Sequence, residues 1–66
     1  MDYLYMLACD GAEWEDLVLY ATGAEAINAS IKYKNTRVEI FKRDDAGAYR
    51  PTYNYYLAGN LILTNQ

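Results

Sequence analysis

The densest set of chemically useful side chains in this sequence is Asp10-Gly11-Ala12-Glu13-Trp14-Glu15-Asp16, with four carboxylates in seven residues. Oxygen ligands at that density suit a hard cation. The run lacks the regular alternation of oxygens that a calcium loop needs, so it reads as a solvated acidic loop without a specific calcium or magnesium site. Nucleophiles are scarce. Cys9 is the only cysteine and closes an apolar run, which reads as a small buried hydrophobe and not a reactive thiol. Ser30 is the only serine and has no base motif nearby. There is no histidine, the side chain most often used as a general base near neutral pH. The glycines, at positions 11, 23, 47 and 59, form no phosphate-cradling pattern. These residues predict a protein that is not an enzyme and carries no cofactor or metal.

Aromatic residues are the more informative set. The stretch Tyr49-Arg50-Pro51-Thr52-Tyr53-Asn54-Tyr55-Tyr56 holds four of the eight tyrosines. On a strand, Tyr49, Tyr53 and Tyr55 alternate onto one face, and Arg50, Thr52, Asn54 and Tyr56 onto the other. Rings beside cations are how single-stranded nucleic acids are gripped. Phosphate contacts dominate such affinity, and a chain of net charge −3 with a pI near 4.6 is a poor candidate for it. An acidic mimic of nucleic acid would need a denser negative surface than six basic residues leave. Two readings of the tyrosines stay open: they complete a small core and its rim, or they also contact another protein, since a tyrosine has an apolar body and a polar tip. Trp14 divides likewise, as a lid folded onto the sheet or an anchor in a partner. The candidate interface residues are therefore Trp14, Tyr49, Tyr53 and Tyr55.

The elements that would position these side chains are legible from periodicity. Tyr3 to Cys9 is apolar throughout and predicts a strand buried on both faces, with Leu4, Met6 and Ala8 on one side and Tyr3, Tyr5 and Leu7 on the other. Leu17 to Tyr20 predicts a second, antiparallel strand. Thr22 with Glu25 three residues on has the spacing of a capping box, in which the carboxylate reaches back to the Thr22 amide. It opens a helix from Gly23 to Tyr33 with Ala24, Ile27 and Ile31 on one face. Lys32 and Lys34 suit the negative end of its dipole, and Asn35 suits a left-handed C-terminal cap. Arg37 to Lys42 alternates as a half-buried strand with Val38 and Ile40 inward. Asp44-Asp45-Ala46-Gly47 is turn chemistry, and Ala48 to Tyr56 returns as a hairpin partner. Pro51 cannot donate to a ladder, which places it at a sheet edge or a bulge. Ala58-Gly59-Asn60 turns the chain into a short last strand, Leu61 to Leu63. The order β-β-α-β-β-(β) predicts one α+β domain over residues 1–66: an antiparallel sheet of four to five strands with one helix packed on one face.

A chain of 66 residues buries only about 60% of the surface its unfolded form exposes. Domains of this size often rely on a disulfide, a metal or a partner. One cysteine and no histidine leave a partner surface as the means available here. Met1-Asp2 opens the chain without the positive region of a secretory signal, and no apolar run approaches the roughly 20 residues of a membrane span. Charge is unevenly distributed: residues 1–25 hold six acidic and no basic side chains, and residues 26–66 hold six basic and three acidic ones. If the fold keeps the halves apart, the domain has an acidic and a basic end; if it interleaves them, the surface is mixed.

Four runs, Glu13-Trp14-Glu15-Asp16, Glu25-Ala26-Ile27-Asn28-Ala29-Ser30, Arg37-Val38-Glu39-Ile40-Phe41 and Pro51-Thr52-Tyr53-Asn54-Tyr55-Tyr56, resemble small proteins of unassigned role from large DNA viruses that infect algae and amoebae. The resemblance covers roughly Glu13 to Asn60 and carries no functional residue with it. It implies a viral origin, and for a folded protein of this size a minor structural component of the virion or capsid. Taken with the residues, the expectation is a non-enzymatic protein–protein interaction or structural protein that joins other protein subunits, in the virion or the host cytoplasm, and binds no nucleic acid. The alternative is a small viral regulator that binds and inhibits a host or nucleic-acid-handling protein.

Overall fold

The computed structural model describes residues 2–9 and 11–64. Its elements are β1 (Tyr3–Ala8), one 3₁₀ turn (Trp14–Asp16), β2 (Val18–Tyr20), α1 (Gly23–Lys32), β3 (Arg37–Arg43), β4 (Tyr49–Leu57) and β5 (Asn60–Ile62). The strands form one sheet in the order β2-β1-β3-β4-β5. Every neighbouring pair is antiparallel, as hairpins and a return through one helix allow. The class is α+β. The long partner of β1 is β3, with Leu7 opposite Val38 and Tyr5 opposite Ile40.

Helix α1 begins where its capping residues require. The Thr22 hydroxyl accepts from the Glu25 amide at 3.2 Å. The Glu25 carboxylate accepts from that same hydroxyl at 3.0 Å and not from the Thr22 amide, so the box closes side chain to side chain. The C-terminal cap is Tyr33, at φ −111°. Asn35 is not left-handed, because Thr36 donates its amide to the Tyr33 carbonyl at 2.9 Å and closes a turn there instead.

The helix lies on the sheet through Ala26, Ala29 and Ser30, not through the expected Ala24, Ile27 and Ile31. The reason is height. Beneath it stand Tyr5, Tyr20 and Tyr56, packed around Leu7 and Val38, so the helix approaches closely only along a row of small residues. Tyr5 and Tyr56 meet with ring centres 6.2 Å apart. Burial, with Tyr56 and Tyr3 beside it, pushes the Tyr5 hydroxyl's pKa up. Ala24 and Ile31 are left exposed.

Ser30 is fully buried and joins two elements. Its hydroxyl donates to the Ile27 carbonyl at 2.7 Å and accepts from the Gly59 amide at 2.9 Å. Residue 59 lies in the turn between β4 and β5, where Ala58 and Gly59 both have positive φ, at 51° and 85°. That is the mirror-image turn that fits the twist of a two-residue hairpin. A Cβ at position 59 would also come within 2.9 Å of Ile31 Cγ1, so the turn sits directly on the helix.

Strand β4 carries an irregularity. Glu39 pairs with Tyr55, yet Phe41 pairs with Pro51, so residues 52–54 cover what Ile40 alone covers on β3. Thr52 donates its hydroxyl to the Ile40 carbonyl at 2.8 Å and accepts from the Asn54 amide at 3.2 Å, which holds the bulge shut. Tyr53 at its apex has φ +67°. The edge reading of Pro51 holds locally, since Pro51 pairs with Phe41 on one side and has no described strand on the other, and the bulge starts at the next residue. Strand β4 as a whole is not an edge: β5 pairs with Tyr55 to Leu57, leaving the Pro51 half paired to β3.

Candidate interaction surface

Register divides the sheet into two faces. The helix side carries Tyr3, Tyr5 and Leu7 of β1, Val38 and Ile40 of β3, and Tyr56 of β4. The other side carries Leu4, Met6 and Ala8 of β1, Leu19 of β2, Arg37, Glu39, Phe41 and Arg43 of β3, Tyr49, Pro51, Tyr55 and Leu57 of β4, and Asn60 and Ile62 of β5. No helix lies on this second face. The expectation that β1 is buried on both faces is therefore corrected: only Leu7 is buried, Leu4, Tyr5, Met6 and Ala8 are half-buried, and Tyr3 is exposed at the end of the strand. The physical reason is that the one helix can cover one side only.

The four candidate residues are not one cluster. Tyr49 and Tyr55 stand half-buried on the open face, as alternation predicted. The Tyr55 ring lies under the Arg37 guanidinium at 5.7 Å, and Arg37 is also ion-paired to Glu39. Tyr53 is lifted out of the alternation by the bulge and is 68% exposed. Its carbonyl accepts from the Thr64 hydroxyl, and the Thr64 amide donates to Asn54 Oδ1 at 3.1 Å, which ties the chain after β5 to the bulge. Trp14 is 82% exposed. That exposure overturns the lid reading: the 3₁₀ turn that carries it is closed by the Glu13 amide donating to Asp16 Oδ2 at 3.3 Å, and the ring stands clear of the sheet. Strands β1 and β3 separate the β2 edge, where Trp14 lies, from β4 and its tyrosines.

The expectations for Cys9 and for the two charged halves are decided nearby. Cys9 is exposed, not buried, because it lies one residue past the end of β1. It borders a shallow depression of about 450 Å³ with Asn35, Thr36, Arg37 and Tyr55. The acidic and basic halves interleave, since β1 runs along β3 with Ala8 opposite Arg37, and the Arg43 amide donates to the Asp2 carbonyl. Among the described residues no group of three acidic, cysteine or histidine side chains could hold a metal; Asp10 lies outside them. No described helix is long and apolar enough to cross a membrane.

Two apolar features were not singled out from the sequence. Phe41 and Met6 sit at the middle of the open face, and the signal for them was the absence of a polar side in Tyr3 to Cys9. The β2 edge exposes Leu17, Val18 and Leu19 beside Trp14. Compared with known proteins, the chain matches no family model, no curated protein and no solved structure.

Proposed function

We propose that this is a non-enzymatic protein–protein interaction module, a structural subunit that docks another protein on the open face of its sheet. One observation carries the reading: Leu4, Met6, Phe41, Tyr55 and Ile62 place apolar side chains among Arg37, Glu39 and Arg43 on the face that no described helix covers. A solvated face of an antiparallel sheet normally alternates to polar residues. Aromatic and methionine side chains are also those enriched where proteins meet. The lack of an enzymatic role is supported by the Ser30 hydroxyl, which is buried with both partners taken, and by the lack of any histidine to activate the exposed Cys9 thiol. A place in a virus particle is supported by the resemblance of the Trp14, Val38 and Tyr53 segments to small viral proteins.

The test has two arms. Quantitative mass spectrometry of purified particles should find the protein at stoichiometric abundance; early expression with absence from particles would favour the regulator. Capture by immobilised wild-type and Phe41→Lys domains compares the face itself. A central aromatic costs about 2 kcal/mol or more on loss, roughly thirtyfold in affinity. Equal capture of the same partner by both, with Phe41→Lys folded by circular dichroism, would refute docking on this face.

A further inference from the structure

We propose that β2 is a pairing edge for a second copy of this chain, the two β2 strands joining antiparallel about a two-fold axis at Leu19. This goes beyond the open-face reading and uses a different surface.

An unpaired edge is normally protected by short length, a charge, a proline or a bulge, and β2 is short, at three residues. Leu17-Val18-Leu19-Tyr20 has none of the other three, and Leu17, Val18 and Leu19 are 48%, 39% and 60% exposed. Together with Trp14, four of the chain's exposed large hydrophobics fall within six residues of one edge. Edges of this kind bind by adding a strand, with backbone hydrogen bonds holding the pair and side chains setting the register.

Self-complementarity identifies the occupant. In the two-fold register Leu19 faces itself, and Val18 of each copy faces Tyr20 of the other, an aromatic–β-branched pair of the kind that stabilises antiparallel strands. No charge lies within the paired stretch. Past Leu17 and Ala21 the strand register ends, in the 3₁₀ turn Trp14–Asp16 and at the start of α1 at Gly23, so the pair brings the acidic turn of one copy toward the first turn of α1 in the other. The first amides of that helix present the positive end of its dipole to the acidic turn. Glu25 is the like charge nearby, and its carboxylate is turned onto the Thr22 hydroxyl at 3.0 Å. The exposed parts of Trp14, Leu17, Val18 and Leu19 offer on the order of 400 Å² per copy, about 800 Å² for the pair, which is below the range of stable interfaces and in that of weak, transient ones. Area does not set affinity, and for a contact this small we take a weak dissociation constant, on the order of 10⁻⁵ M. Because the axis runs perpendicular to the sheet, the product is one ten-stranded sheet with both open faces on the same side, a bivalent platform.

Sedimentation velocity from about 1 μM to about 1 mM, bracketing that constant, tests this with the full chain. Trp14 is the only tryptophan, so its emission reports the same edge. The expected result is a mass rising from one copy to two, a blue shift of Trp14 over the same range, and a midpoint raised at least tenfold by Leu19→Lys. Leu61→Lys, on the opposite edge strand, should leave the midpoint unchanged. Should Leu19→Lys not fold, protection of the Val18 to Tyr20 amides against hydrogen exchange, compared in the wild type at the two ends of the range, decides instead. A single-copy mass throughout overturns the proposal, including the case in which only a foreign peptide adds to β2. Growth past two copies, equal sensitivity to both lysines, or unchanged exchange overturns it as well. Phe41→Lys leaves the β2 edge intact, so failure of the open-face reading and failure of this one are seen separately.

Discussion

Ser30→Ala is the most direct test of what holds the last hairpin to the helix. The side chain is fully buried and its hydroxyl makes two bonds, to the Ile27 carbonyl at 2.7 Å and from the Gly59 amide at 2.9 Å. Alanine removes one oxygen and leaves almost no cavity, so the loss is one of hydrogen bonding. The Ile27 carbonyl belongs to the helical ladder and loses little. The Gly59 amide, in a tight turn pressed against Ile31, loses the partner that it has, and an unsatisfied, partly buried donor costs about 1–3 kcal/mol. The better helix propensity of alanine returns a few tenths of a kcal/mol, so the measured cost is a lower bound. For a domain of this size each kcal/mol moves the thermal midpoint by about 4–8 °C, and Ser30→Ala is expected to lower it by roughly 5–15 °C. Thermal melts by circular dichroism give the midpoint, and amide exchange gives the local effect, with faster exchange at Gly59 than at helix amides. A midpoint within about 2 °C of wild type, well short of that range, or an equally protected Gly59 amide, would show that the turn is held by packing alone.

Two further outcomes follow from the caps and the hairpin. Thr22→Ala should cost about 1 kcal/mol, and the double change with Glu25→Ala should cost less than the sum of the singles, because the two side chains act as a unit; full additivity in melts of the four variants would count against the closed box. Asp44 accepts from the amides of Ala46 and Ala48 and from Arg50 Nε at 2.7 Å, and the Arg50 guanidinium, first among these, holds its pKa below the usual carboxylate value. A depressed carboxylate contributes stability above its unfolded pKa, lost as pH falls through the folded one. Melts of wild type and Asp44→Asn should therefore differ above about pH 4 and converge below it; a gap constant down to strong acid would refute the assignment.

Most element boundaries were readable because each has a local cause. The box at Thr22 and Glu25 starts the helix, and alternation from Arg37 places Val38 and Ile40 inward. Failures arose where tertiary packing decided. The helix face was misplaced because the larger apolar residues, Ile27 and Ile31, mark the expected stripe, whereas the height of three tyrosines selects Ala26, Ala29 and Ser30. Cys9 was placed inside on composition, although the strand ends one residue earlier. Tyr49 and Tyr55 were correctly assigned to one face, since the bulge adds two residues and preserves parity. Nothing in the sequence marks Tyr53 as left-handed, and that conformation rests on the bonds of Thr52, Asn54 and Thr64.

The exposed apolar surface follows from the geometry of cover. A ten-residue helix is about 15 Å long and about 10 Å across. Five strands spaced about 4.8 Å apart span roughly 20 Å of centre-to-centre width, so one such helix covers about half of one face. The uncovered half is seen as a groove of about 440 Å³ bordered by Tyr3, Ile40, Lys42, Leu61 and Leu63. The opposite face has no cover from the helix. A chain selected only to fold alone would place polar residues at Leu4, Met6, Phe41 and Ile62, because water is cheaper to face with them and the core beneath the helix does not use these positions. The tyrosines express the same division of labour: Tyr5, Tyr20 and Tyr56 fill the space under the helix, Tyr55 lies on the open face under Arg37, and Tyr53 stands outside both. Apolar side chains kept where one chain cannot bury them are the physical reason to look for the second chain that does.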